Sequence, residues 1–461
     1  MKNNPSRSII ESRAKPMHLK PIKMAVEHRP LCLQSFPVLF WTCSLLLVGC
    51  GCVPMQRDMA KEVASYTDVA NQIIKLVLSG SAQKRSYERL SNFTDAIGNR
   101  VSGSHNLELA IAYMYNAMSQ DGLDVHLEPV KVPHWVRGEE GAEMVLPRPK
   151  TLAMLGLGSS VGTPPEGIEA EVVVVSSFED LRSRGANVSG RIVVFNQPFV
   201  SYGETVAYRA FGASEAAKLG AVAALIRSVT PVSINSPHTG VQDYQEGVRR
   251  IPAACITVED AQLMARLAAR GQRVVVRLNM GAKTLPDADS FNTVAEIKGW
   301  QHPEQVVVLS GHLDSWDVGQ GAMDDGGGAI ISWEALSVIK DLGLRPRRTL
   351  RAVLWTAEEQ GGVGAQQYYQ RHKVMQEVVQ LLAPLNTTRL EPHGEGTDIG
   401  PWMQAGVPGA SLHVEDDRYF WFHHSEGDTM SVQSPGAMDR CSALWAVVAY
   451  VVADLQDMLP R

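Results

Sequence analysis

Apolar positions recur at helical spacing in Val69-Ala70-Ile73-Ile74-Leu76-Val77 and again in Leu107–Met118. A turn of 3.6 residues places such positions on one face, so residues 57–120 are predicted to be mainly helical. From about 130 to 288 the texture changes to short β-branched runs split by Gly and Pro: Thr151–Leu157, Val172–Val175, Arg191–Phe195, Ala221–Ile226 and Arg273–Leu278. These predict strands, with two helix-like stretches between them, Ser214–Leu219 and Val258–Arg270. After 290, strand and helix patterns alternate, as they do around a parallel α/β sheet. Gln305–Ser310 has the continuous apolar run of a buried strand. Ala329–Leu342 has the pattern of a helix stopped by Gly343 and Pro346. Thr349–Trp355 is the next predicted strand and Ala443–Met458 a closing helix. The expected fold class is α/β: a mixed, mostly parallel sheet flanked by helices, with a compact β-rich segment interposed. No internal repeat or low-complexity tract is present.

The amino end departs from this pattern. Residues 30–56 carry no charge, Phe36–Val53 is almost wholly apolar, and Lys2, Arg7, Arg13, Lys15, Lys20, Lys23 and Arg29 precede them. A basic region, an apolar run and small residues describe a secretory signal, with cleavage expected near Gly51–Val53. The alternative is an uncleaved anchor, since about 18 apolar residues just span a bilayer. The run Leu47-Val48-Gly49-Cys50 mimics a bacterial lipoprotein box, but three glycosylation sequons downstream, at Asn92, Asn187 and Asn386, favour the secretory route. The expected destination is secreted or extracellular, with lysosome, endoplasmic reticulum and Golgi as further compartments. No stable membrane association is expected after cleavage.

Composition narrows the class. The 461 residues are 45% hydrophobic and 20% charged, which suits about two to three soluble domains and excludes collagen, disordered and multi-span classes. Lys and Arg number 43 against 49 Asp and Glu, so no basic footprint for nucleic acid exists. Of 6 cysteines, only Cys255 and Cys441 lie beyond residue 52. Each sits in an apolar segment and is expected to be a buried small hydrophobe.

The densest chemistry begins where the first α/β strand ends, with His312, Asp314 and Asp317, and continues through a Gly-rich loop holding Asp324 and Asp325. Ligands of open parallel sheets sit beyond the carboxyl ends of strands. One imidazole and several carboxylates there form an ordinary donor set for zinc. Asp314 is spaced to accept the other ring N–H of His312 and fix its tautomer. The alternative is a solvated acidic loop. The next strand ends in Glu358-Glu359. Adjacent carboxylates leave a sheet edge in different directions, so one can bind metal while the other takes a proton from activated water. A Glu pair opening a helix is the alternative. A third cluster, His423-His424-Ser425-Glu426-Gly427-Asp428-Thr429, lies near the carboxyl end, next to an aromatic run, Tyr419–Phe422. That run is expected to shape a pocket or a dimer face, or to pack in the core.

The order G-H-x-D, M-D-D-G-x-G, A-E-E-x-G and H-H-x-x-G-D-T resembles the co-catalytic di-zinc aminopeptidase/carboxypeptidase family. The resemblance runs from about residue 60 to 461 and includes His134-Trp135, Gly156–Gly167, Ser236–Gly240 and Gln305–Gln370. It implies a di-zinc exopeptidase fold in which residues 136–288 are an inserted protease-associated-like domain. Residues 53–135, with room for a short propeptide, and 289–461 are then two parts of the catalytic domain, after a signal segment at 1–52. It implies two zinc ions, with His312 a ligand of one, Asp324 bridging both, and Glu359 and His424 ligands of the other. His423 is the less favoured neighbour. Glu358 is the implied general base in the attack of zinc-activated water on the scissile carbonyl. The peptide after Asp324 is often cis in such proteins. Gly396-Thr397-Asp398 matches a motif near the site, with a supporting role. Small unblocked peptides, chiefly dipeptides, and a homodimer are the implied partners.

One part of the pattern is missing. The family's remaining carboxylate ligand follows a third strand, in a segment E-S-D-x-G, after the helix that Glu359 opens. Here Tyr368–Val374 runs straight into Met375–Val379, and no Asp occurs between Asp341 and Asp398. A strand, its Asp and the following loop are thus expected to be deleted after Val374. The zinc beside His312 should be weakened and catalysis impaired. Asp324, Glu359 and His424 still make a complete three-ligand zinc set, so a single-zinc, glutaminyl-cyclase-like acyltransferase is one alternative. A non-catalytic binding protein like the transferrin-receptor ectodomain is another.

Overall fold

The computed structural model describes residues 61–371, 398–405, 407, 409–413 and 418–457, with the backbone of Lys23–Val26 and Leu390–Glu391. The Phe36–Val53 run, the junction at Val374 and Asn386 lie outside the described residues.

The helical periodicity near the start resolves into α1 (Thr67–Ser79), α2 (Arg85–Ile97) and α3 (His105–Gln120). Helix α3 starts where the Ser104 hydroxyl accepts the Leu107 N–H, which satisfies one of the free donors of a first turn. It buries Leu107, Ala110, Ile111, Met114 and Met118. Four strands follow the expected core: β1 (Asp124–Val136), β2 (Lys283–Ile297), β3 (His302–His312) and β4 (Arg348–Trp355). Their order is β3-β4-β2-β1. Helices α4 (Gly327–Asp341) and α5 (Pro435–Asp454) pack with α1–α3 against this sheet in one apolar core.

Three expectations need correction. The described sheet is mixed but not mostly parallel. Only β3 and β4 run parallel, whereas β2 is antiparallel to both β4 and β1. Strands β1 and β2 lead out to and back from residues 137–282, and a chain that leaves and returns along one path pairs antiparallel. Gln305–Ser310 is not a buried strand. Only Leu309 in it is buried, because β3 is an edge strand among the described residues. The closing helix spans Pro435–Asp454 rather than Ala443–Met458. Proline at its first positions costs no hydrogen bond there. This helix has the length and hydropathy to cross a membrane, but 78% of the relevant window is buried in the core.

The segment between β1 and β2 forms its own eight-stranded sheet. Ile168–Val175, Ile192–Phe195, Ala223–Arg227 and Ala253–Ile256 run parallel at its centre. Three helices cover it, Phe178–Arg184, Tyr202–Lys218 and Val258–Ala269. The second is much longer than the Ser214–Leu219 pattern, because its first half, Tyr202–Arg209, mixes polar and aromatic residues and carries little apolar contrast. Apolar clusters on the two faces hold this lobe together. Cys255 and Cys441 are buried free thiols, and burial raises both to about 12. Trp135, Ala282, Trp316 and Val318 pack where the two lobes meet, and Arg137 pairs with Asp317 at 2.5 Å beside them. The backbone of Lys23–Val26 pairs with Leu390–Glu391 and Ala410–His413 in a separate small sheet.

Candidate metal centre

Strands β3 and β4 end side by side, with His312 opposite Trp355. Their carboxyl ends therefore project functional side chains into one space. Past β4, Ala357 takes φ 54°, a left-handed turn that costs a residue with a Cβ about 1 kcal/mol. It sends Glu358 and Glu359 in different directions. The Asp314 carboxylate accepts the backbone N–H of both, at 3.0 and 3.2 Å. Past β3, the loop returns through Asp324, and the Asp324–Asp325 peptide is cis. Asp428 anchors this turn by accepting the N–H of Met323 at 2.7 Å and of Asp324 at 3.0 Å.

The imidazoles are held by their far nitrogens. His312 Nδ1 lies 3.0 Å from the Asp314 carbonyl and 3.7 Å from its carboxylate. Asp314 thus meets His312 through its main chain, since its carboxylate is committed to the two amides of the opposing loop. His424, at φ 57°, points Nδ1 at the Thr239 carbonyl, 3.1 Å away in the other lobe. Both Nε2 atoms then face carboxylates. That of His312 lies 3.2 Å from Asp324 Oδ1 and 3.9 Å from Glu358 Oε2. That of His424 lies 2.8 Å from Glu359 Oε2 and 3.2 Å from Asp324 Oδ2. His423 stacks on His424 with ring centroids 3.6 Å apart, its Nε2 3.2 Å from Asp324 Oδ2.

Among the described residues, two sets lie close enough to hold one ion each: His312, Asp324 and Glu359, and Asp324, His423 and His424. All five are buried and Asp324 belongs to both. With Nδ1 carrying the proton, each Nε2 turns a lone pair toward a carboxylate, a repulsive contact unless a proton or cation lies between. Asp324 Oδ2 and Glu359 Oε1 are buried with no hydrogen-bond partner among the described residues. Buried carboxylates without partners are costly unless a cation compensates them. The donor set and these orphan atoms fit zinc.

The buried imidazoles and carboxylates shift one another. Burial lowers His312, but Asp314 and Asp324 outweigh it and hold the ring well above its ordinary value. Burial likewise lowers His424, and Glu359 and Asp324 reverse the shift. His423 is driven well below its ordinary value by burial and by His424. Burial pushes Asp324 up, but His423, His312 and His424 prevail and keep it ionised. Burial raises Glu359 to about 7.

The geometry thus brings together Glu358, His312, Asp324, Glu359, His424 and Asp314. Of the sequon asparagines, Asn92 is exposed on α2 and Asn187 is exposed in the turn Gly185–Val188. Several residues had gone unassigned. Arg100 is fully buried and donates to the carbonyls of Leu313, Gln320 and Gly321 at 2.7, 2.6 and 2.9 Å. Burial lowers it to about 10, so it still carries charge while tying the loop behind Asp324. Trp316 Nε1 donates to Glu359 Oε2 at 2.7 Å. Asp428 stood in the H-H-x-x-G-D-T motif without a role. From the other lobe, the Tyr202 ring meets Phe420 and His423, each at 5.0 Å.

Residues 292–387 match "Peptidase family M28". A crystal structure of a "Peptidase M28 precursor" from Shewanella amazonensis SB2B superposes with a TM-score of 0.82 at 31% identity, covering 87% of this chain and 99% of that one. A zinc aminopeptidase from Bacillus subtilis shares the fold at 18% identity and a TM-score of 0.59, over 82% of this chain and 99% of that one. The chain belongs to peptidase family M28, a class of metallo-exopeptidases. Within that class it is a homologue of carboxypeptidase Q. It is 61% identical over 433 residues to the Xenopus laevis protein, covering 87% of this chain and 92% of that one. It is 60% identical over 438 residues to the Homo sapiens protein, covering 88% and 93%.

Proposed function

We propose that this chain is a zinc-dependent exopeptidase that hydrolyses small unblocked peptides, chiefly dipeptides. The observation that carries the reading is Asp324, shared by two three-donor sets, with the Glu358 carboxylate 3.9 Å from His312 at their edge. His312, Asp324, Glu359 and His424 are the residues that would hold zinc. Zinc, when bound, polarises the scissile carbonyl and makes water acidic enough to ionise near neutral pH. Glu358 accepts the proton of the attacking water and returns it to the leaving amine. The Asp314 carboxylate keeps Glu358 and Glu359 splayed, and Trp316 orients Glu359. Tyr202 and Phe420 form one wall, where a free peptide terminus would lie.

The chain lacks one carboxylate ligand and is impaired relative to its homologues. Two observations support this. Strand β3 is an edge strand among the described residues although Val306, Val307, Val308 and Leu309 follow in sequence, a run suited to a strand with neighbours on both sides. The alignment with Xenopus laevis carboxypeptidase Q has 433 positions, more than 87% of a 461-residue chain can fill, so that relative has residues with no counterpart here. A secretory route, a homodimer and an inserted domain of the protease-associated kind complete the proposal. Dipeptide hydrolysis with added zinc tests it. Weak, zinc-dependent turnover that disappears in Glu358→Gln is the expected result, and identical turnover in both chains would exclude Glu358 as the base.

A further inference from the structure

We infer that Asp398 supplies a further carboxylate on the His312 side, its Oδ1 becoming a terminal ligand of the ion held by the set His312, Asp324 and Glu359. The inference rests on the zinc reading above.

Packing brings Asp398 to the centre. The short helix Gly400–Gln404 is clamped to the end of β4 by Trp402, whose ring lies 5.6 Å from Trp355 and 5.2 Å from Tyr369. Asp398, two residues before this helix, therefore stands where β3 and β4 end. The charges that act on it are those of His312, Glu358, Asp325 and Asp314. Its Oδ1 is buried with no hydrogen-bond partner among the described residues. The orphan carboxylate oxygens there are Glu108 Oε1, Asp260 Oδ2, Asp324 Oδ2, Glu359 Oε1 and Asp398 Oδ1. Asp260 pairs with Lys150 through its other oxygen, at 2.6 Å. Asp324 and Glu359 belong to the donor sets that fit zinc, and Asp398 shares with them the neighbours His312 and Asp314. An unpaired carboxylate buried among other carboxylates is expensive, and a divalent cation removes the cost.

Asp398 is outside the donor sets as they stand, so it closes on the ion by rotating its side chain. A ligand carried on a turn is held less firmly than one on a strand. The zinc it completes is therefore the weaker of two.

Zinc titration of the metal-free, full-length chain, read by chelator competition, tests this. The unaltered chain is expected to bind two zincs, one at least tenfold more weakly, and Asp398→Asn to bind only the tighter. Asp398→Glu, which keeps a carboxylate, should retain two. If Asp398→Asn binds the same number as the unaltered chain, whether one or two, the inference is overturned while the zinc reading stands. If the unaltered chain binds none, both fall. Should Asp398→Asn not fold, as judged by circular dichroism, carbodiimide labelling of the unaltered chain decides. Asp398 should be modified only without zinc, and equal modification in both states overturns the inference.

Discussion

His312 and His424 each rest Nδ1 on a main-chain carbonyl and turn Nε2 to carboxylates. That arrangement separates residues that meet the reacting atoms from those that only hold them. Glu358→Gln removes the proposed base but no donor of either set. Hydrolysis should fall by about 10²–10⁴-fold with zinc content unchanged, as metal analysis of the same preparation would check. Asp428→Asn keeps shape but exchanges one acceptor of the Met323 and Asp324 amides for a donor. Zinc affinity should fall about 10–100-fold, measured by chelator competition. At this scale the candidate donors were legible in the sequence, because imidazoles and carboxylates at strand ends form a donor set that the fold brings together. It was opaque for supports. Arg100 sits more than 200 residues from Leu313 in the chain, and no local pattern reveals that its guanidinium will meet three carbonyls there. The acceptor for His424, the Thr239 carbonyl, has no side-chain signature at all.

Helix α4 carries Glu334, 1% exposed at its side chain, between Arg85 and Arg89 of α2, each at 2.9 Å. Burial outweighs both guanidinium groups and raises this carboxyl to about 7. Glu334→Ala opens a buried gap between Arg85, which keeps Asp341, and Arg89, which keeps Asp121, and should cost about 2 kcal/mol in urea denaturation. The folded carboxyl keeps its proton to higher pH than the unfolded one, whose value is 4.5. Its contribution to stability therefore declines as pH rises from 4.5 to about 7, and Glu334→Gln should flatten that slope. Elements with strong periodicity were legible, including α4, β4 and the helix Val258–Ala269. The long β1–β2 pair was not. Its outer half, Lys283–Asp289, is largely exposed and has no apolar face to reveal a strand. Gln305–Ser310 is less buried than its apolar run predicts, because such a run records the neighbours a strand is suited to, whereas burial depends on those present.

The described residues form two lobes, and the centre draws on both: donors from the strand ends of one, the Thr239 carbonyl and the Tyr202 wall from the other. The family followed from motif order spread over the chain, which no single element supplies. If a strand and its Asp are missing after Val374, inserting the corresponding segment of carboxypeptidase Q there should strengthen the weaker zinc site at least about tenfold and raise the melting temperature, as calorimetry would show. The most direct test of the account is the rate of dipeptide hydrolysis by the unaltered, full-length chain as free zinc is raised. The account predicts turnover below that of carboxypeptidase Q that rises only as the second, weaker zinc site fills. Full turnover with a single tight zinc, or none at saturating zinc, would contradict it.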